Sequence, residues 1–209
     1  MQRIVGFSDL LKSQELVHLS DDGKKYLQKV QDAATRMSSL IDDLLRFSKV
    51  IKRSELFETV RLNAVVSRVI EDLDLLVRQH HAKIDVGNLP EIEGDESQLQ
   101  QLFLNLLINA IKFRKPDQPP KIRISSREGG SAYWEIMVAD EGIGFDQQYA
   151  DKIFRPFERL HNRGQYEGSG IGLAICQKIV AYHSGKISVQ TRPQAGTTFS
   201  ILFPRAPLA

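Results

Sequence analysis

A single cysteine, Cys176, leaves this chain of 209 residues without any internal disulfide. Its stability has to come from packing, and a reducing, cytoplasmic setting fits. Net charge is also scarce: 28 basic against 26 acidic residues give a formal +2. That is too little charge of one sign to argue for nucleic acid or an anionic membrane as the main partner. No run reaches the roughly eighteen apolar residues of a membrane span. The start, MQRIVGFSDLLK, lacks the basic-then-apolar layout and the small-residue cleavage site of a secretory signal. A soluble chain with no direct membrane contact is expected, although Met1 need not be a natural start and a parent protein could be membrane-bound. With 42% hydrophobic and 26% charged residues, the composition is that of a globular protein of one large domain, or a medium one with a smaller companion.

Two regions of different period follow one another. From Lys24 to Ile51 the apolar residues keep a heptad: Leu27, Val30, Ala34, Met37, Ile41, Leu44 and Ile51 occupy a and d positions, with Ser48 the one polar exception. Ile4 to Leu11 is apolar enough for a shorter helix before it. Ser20 and Asp21 are suited to cap the long helix, and Asp22 adds negative charge to its first turn. A helical hairpin is expected, and a second copy would cover its apolar seam as a four-helix dimer. The alternative is an ordinary amphipathic helix packed on the main domain. Beyond Ser54 helices are expected over Leu62–Leu76, Ser97–Phe113 and Ile171–Tyr182. Strands are expected over Ala82–Val86, Lys121–Ser125, Tyr133–Ala139, Lys186–Thr191 and Thr197–Phe203, with a turn at Gly129-Gly130. Helices mixed with antiparallel hairpins make an α+β sandwich, one sheet covered by helices. The boundary falls at residues 1–54 and 55–209.

Three segments carry chemistry. In QLQQLFLNLLINAIKF, Asn105, Asn109 and Lys112 fall at i, i+4 and i+7, on one helix face. Two amides and an ammonium there need partners, because burying each unpaired costs about 1–3 kcal/mol. Either Asn109 offers its carbonyl oxygen to a hard cation and Lys112 meets phosphate, or the face makes polar contacts with neighbouring loops. The second segment, Asp140-Glu141-Gly142-Ile143-Gly144-Phe145, follows a strand. Its carboxylate can accept from an exocyclic amine of the adenine kind, and the two glycines let backbone approach a flat ring; a plain turn is the alternative. The third, Gly168-Ser169-Gly170-Ile171-Gly172-Leu173, opens a helix and makes an anion site. It is neither a dinucleotide fingerprint nor a P-loop. The polar stretch Arg159–Glu167 before it reads as a loop able to close over a ligand.

Together NLLINAIKF, DEGIGF, IFRPFERL, GSGIGLAI and GTTF, in this order, resemble the N, G1, F, G2 and C-terminal boxes of histidine kinases. The resemblance covers Leu62 to Phe203, and the hairpin is similar to that family's dimerisation region. It implies the α/β sandwich shared with gyrase, mismatch-repair and heat-shock chaperone ATPases, with ATP and magnesium as cofactors. By position, Asn109 would hold magnesium and Lys112 would contact phosphate. Asp140 would bind the adenine amino group beside Gly142 and Gly144, while Gly168, Gly170, Gly172 and Leu173 would frame the lid and phosphate site. Phe154 and Phe157 would anchor the lid by packing. Arg159 would approach the γ-phosphate, and Thr198 would help the adenine contact through a water.

Asn105 stands where the hydrolysing relatives have a glutamate base. An amide cannot serve as that base, which points to phosphoryl transfer rather than hydrolysis. The resemblance further implies a homodimer, a response regulator receiver domain as partner, and a phosphoacceptor histidine upstream of Met1. None of His18, His80, His81, His161 and His183 has the acceptor's context. A docking module with a vestigial nucleotide site and an ATP-hydrolysing clamp are the rival readings.

Overall fold

The heptad segment forms one long helix, α1 (Asp21–Lys49), with Asp21 and Asp22 in its first turn. The Ser20 hydroxyl accepts from the Gly23 N–H at 3.1 Å, the capping expected of that residue. The computed structural model describes residue 6 and residues 19–49, 57–160 and 169–205. The chain divides into two units, Met1–Ser48 and Lys49–Ala209. The helix expected over Ile4–Leu11, apart from Gly6, and the heptad position Ile51 lie outside the described residues, as do Gly168 and most of the expected lid.

In the second unit β1 (Glu58–Arg61) leads into α2 (Leu62–Asp72) and α3 (Asp74–Gln79). The expected continuous helix breaks at Leu73. Two carboxylates flank that residue, a side chain that prefers helix ends to interiors, and Asp74 pairs with Arg78 at 2.8 Å. Then come β2 (Lys83–Val86), β3 (Glu91–Gly94), α4 (Glu96–Lys112), β4 (Lys121–Glu128), β5 (Tyr133–Asp140), α5 (Gly172–Tyr182), β6 (Lys186–Arg192) and β7 (Gly196–Pro204).

Five strands form one sheet in the order β2-β4-β5-β7-β6, in which β2 runs parallel to β4 and the other neighbours are antiparallel. The parallel pair requires a crossover, and α4 lies within it. β1 and β3 make a separate antiparallel pair, Val60 opposite Ile92. Neither strand was legible in the sequence, because four residues with one buried apolar side chain each give no alternation to count.

One layer of helices covers one sheet face. Leu62, Val65, Val66 and Val69 of α2, Leu99, Leu102, Phe103, Leu106, Leu107 and Ile111 of α4, and Ile175, Cys176 and Ile179 of α5 are all buried. They meet Ile122, Ile124, Ile136, Val138, Phe199, Ile201 and Phe203 from alternate sheet positions. Each such burial contributes about 1.5–3 kcal/mol. The opposite sheet face is polar, with Lys121–Glu141, Arg123–Asp85 and Arg127–Glu135 ion pairs. Exposed pairs of this kind stabilise little; they keep that face wet and fix which side takes the helices.

Candidate nucleotide-binding site

The polar stripe of α4 lies at the edge of the buried layer. Asn105, Asn109 and Lys112 are half-buried, while Leu106, Leu107, Ala110 and Ile111 between them are core. Asn105 is fully engaged: its Oδ1 accepts from Gln101 Nε2 at 3.0 Å, and its Nδ2 donates to the Gly172 carbonyl at 3.2 Å. It therefore ties α4 to the first residue of α5. The Asn109 amide makes no hydrogen bond among the described residues, so its oxygen is available. Lys112 Nζ stands 4.4 Å from the centre of the Phe113 ring.

Asp140 ends β5 on the helix-facing side. Its Oδ1 accepts from the Gly142 N–H at 2.8 Å. Burial pushes its carboxyl up to about 6, against the pull of backbone N–H groups from Gly142 and Thr197. No salt bridge to Asp140 occurs among the described residues. A cleft of about 260 Å³ opens beside it, lined by Ala110, Arg114, Lys115, Lys121, Glu141 and Gly142 among others.

The glycines after Asp140 are needed for close approach to the protein's own backbone. A Cβ on Gly142 would lie 2.4 Å from the Phe113 carbonyl oxygen. On Gly144, at φ +55°, it would lie 2.0 Å from the Arg192 carbonyl oxygen. On the side where each Cβ would stand, the space is taken by the protein's own backbone. The loop is held there by Thr191, whose Oγ1 accepts from the Phe145 N–H at 3.1 Å, and by Gln147, whose Oε1 accepts from the Thr191 N–H at 2.9 Å. These two anchors had no motif to announce them.

The expected role of Thr198 needs correction. Opposite residues of an antiparallel pair point to the same face, and Asp140 is paired with Thr197, whereas Thr198 is paired with Ala139. Thr198 thus stands on the outer sheet face, away from Asp140. The buried Thr197 is the threonine on the Asp140 side, its Oγ1 3.2 Å from Thr191 Oγ1. The period of two along a strand decides between adjacent threonines, and this signal was present in GTTF.

At the third segment α5 begins at Gly172, followed by Leu173, and its N-terminal residue Ile171 supplies no side-chain cap. Among the described residues the first-turn N–H groups therefore lack the usual side-chain acceptor from the N-cap residue. Gly170 accepts from the Phe157 N–H at 3.0 Å. Its missing Cβ would lie 3.2 Å from Arg159 Cγ, so the two ends of the intervening loop are fastened side by side. Phe154 is buried and meets Phe199 edge-on at 6.4 Å. Phe157, expected to pack, is instead 56% exposed; its positive φ turns the chain toward Gly170. Arg159 is exposed beside that junction.

Magnesium fits this donor set in one way. Among the described residues no cluster of three or more His, Cys, Asp or Glu could cage a metal ion; the side-chain oxygen of Asn109 is a neutral donor of the kind magnesium accepts. A cation that keeps waters and takes its remaining ligands from phosphates suits such a site.

The family model described as "Histidine kinase-, DNA gyrase B-, and HSP90-like ATPase" matches residues 94–207, and the "His Kinase A (phospho-acceptor) domain" matches residues 1–52. Phytochrome-like protein Cph1 of Synechocystis sp. is 35% identical over 204 residues, which cover 98% of this chain and 27% of that protein. The chain thus spans about a quarter of this relative's length. Full-length ShkA in complex with AMPPNP superposes with a TM-score of 0.71 at 24% identity, covering 99% of this chain and 43% of that one. Histidine kinase ThkA, solved with the response regulator protein TrrA, gives 0.69 at 25% identity, covering 98% and 57%. The ATPase match alone takes in more than half of the chain and contains every site segment built above. Preceded as it is by a His Kinase A region, the chain belongs to the histidine kinase-, DNA gyrase B- and HSP90-like ATPase family, with the domain pair of a sensor histidine kinase.

Proposed function

We propose that this chain is the ATP-binding catalytic portion of a sensor histidine kinase, transferring the ATP γ-phosphate to a histidine for relay to a response regulator aspartate. The observation that carries the reading is Asp140, a largely buried carboxylate with no salt bridge among the described residues. Such a position is costly unless a ligand supplies the missing donor. The adenine amino group is that donor, with Thr197 beside it. The uncapped N–H groups of α5 and Lys112 receive phosphate. Asn109 would hold Mg²⁺ through its oxygen, and the ion would supply charge neutralisation on the transferring group. Arg159 adds a cation where that charge develops.

Asn105 supports transfer over hydrolysis: it is an amide, and both its ends are already hydrogen-bonded. Two outcomes are expected of the purified chain with labelled ATP. Phosphate release stays near background, and the chain does not label itself, since none of its five histidines is assigned as acceptor. His183, for one, is buried with both ring nitrogens engaged. Steady phosphate release would favour the hydrolysing clamp, and phosphohistidine on the chain would refute the acceptor assignment.

The dimer reading rests on α1, where Val30, Met37 and Ile41 of the heptad seam are each nearly half exposed. The response regulator partner rests on the ThkA–TrrA complex as an analogy. The direct test of the site is calorimetric titration of ADP with and without Mg²⁺. Binding strengthened by Mg²⁺ in the native chain, and largely Mg²⁺-independent in Asn109→Ala, is expected. No binding by a folded native chain would leave only the docking-module reading.

A further inference from the structure

His183 is buried at 3% exposure, and no step of nucleotide binding above uses it. It caps the C-terminal end of α5, yet its ring reaches the other helix that bears the site. Nδ1 lies 2.8 Å from the Ile179 carbonyl oxygen and must donate to it. Nε2 is then an acceptor, and it takes the Asp95 N–H at 3.0 Å. Burial favours this neutral ring by lowering its pKa.

Asp95 is the N-cap of α4. In a capping box, a Gln or Glu three residues on takes the N-cap N–H. Gln98 occupies that place but turns to the Asp95 carboxylate, and the histidine of α5 takes the N–H instead. Space for the ring is reserved: a Cβ on Gly94 would lie 2.8 Å from both its Cδ2 and Nε2. Phe57 stacks on one face at 5.0 Å, and Phe203 meets the ring edge-on at 5.9 Å.

The bond is one of three ties between the same two helices. Asn105 to Gly172 joins them at the site, and Cys176 Sγ to Leu102 O, at 3.8 Å, joins them midway. The far tie, His183 to Asp95, fixes how α5 lies along α4. That placement sets the distance between the Asn109 oxygen on one helix and the open N–H groups that begin the other. Metal and phosphate need both at once.

Resting on the nucleotide reading above, we propose that His183 is a positioning residue of the site, fixing α5 against α4 by accepting the Asp95 N–H. The test compares His183→Gln with His183→Asn in the full chain, below the melting transition of each. Glutamine carries its amide near the ε position and can still accept from Asp95. Asparagine reaches only the δ position and keeps the Ile179 bond alone. Both lose the ring, so a purely structural role would weaken both alike. Mg²⁺-ADP affinity within about twofold of native is expected for Gln, and about five- to tenfold weaker binding for Asn. Hydrogen exchange at the Asp95 amide should be slow in the native chain and in Gln, and fast in Asn.

Affinity that does not follow Asp95 protection across the three proteins overturns the proposal, as does unchanged protection in Asn. Failure of the native chain to bind ADP overturns the nucleotide reading instead, so the two failures are distinguishable.

Discussion

Replacing Asp140 by asparagine is expected to abolish useful nucleotide binding while making the ligand-free protein more stable at neutral pH. The carboxylate already accepts from the Gly142 N–H and is drawn on by that of Thr197. It has a further lone pair for an adenine amine only because both its oxygens are acceptors. An amide offers one oxygen, and its NH₂ would face either a backbone N–H or the adenine amine. The loss should be about tenfold to a hundredfold in ADP affinity.

Stability moves the other way. Burial raises the folded-state pKa of Asp140 from 3.8 to about 6. The protonated form is therefore the one the fold favours, and its contribution is complete below the unfolded value. It is lost as pH climbs through about 6, so at pH 7 the fold carries up to about 3 kcal/mol of cost. Asparagine removes that charge, and a rise in Tm of about 3–6 °C at pH 7 is expected, shrinking towards pH 4. The native chain should in turn bind ADP evenly above about pH 7 and more weakly as pH falls through about 6, where the acceptor is protonated. Calorimetry and thermal melts across pH check all three. A variant that binds like the native protein would show that adenine is not read by Asp140. A lower Tm at pH 7 would show that the buried charge carries no cost.

The second large effect belongs to Gly144. Alanine there would have to adopt φ +55° and place its Cβ 2.0 Å from the Arg192 carbonyl oxygen. That oxygen belongs to the hairpin between β6 and β7, and no flexible side chain can yield to relieve the contact. The loop must lift away, breaking the Phe145–Thr191 and Gln147–Thr191 bonds behind it. Backbone strain, a steric clash and buried groups left unpaired together predict a loss of about 3–5 kcal/mol, enough to unfold a marginal domain. Denaturant unfolding measures it. Gly172→Ala is the control, because a Cβ there would meet nothing closer than Asn105 at 3.8 Å. A Gly144→Ala protein as stable as the control would mean the loop does not need this close approach.

How far the sequence could be read depended on whether a signal was local. The helix over α4 and its polar stripe were legible because apolar and polar positions repeat with the helical period. The end of β5 was legible because Asp140 stops an alternating run. The small β1–β3 sheet was not, since four-residue strands carry too little pattern. Thr197 and Thr198 are told apart only by the strand period, which sets them on opposite faces of the sheet. The packing of Phe157 failed for another reason: only the folded chain reveals that its backbone turns away at that point.

The sequence by itself determined which residues face the core, where the helices and main strands run, and which chemical groups gather in three separated segments. Those follow from hydrophobic period, turn residues and the donor and acceptor character of side chains, all set within a few residues. The tertiary structure alone decided what those groups do to one another. It made β2 parallel to β4, filled the space beside Gly142 and Gly144 with distant carbonyls, and lifted the pKa of Asp140 by burial. It also brought His183 to an amide 88 residues earlier in the chain. Burial and long-range contact depend on every other element being in place, so no window of sequence contains them.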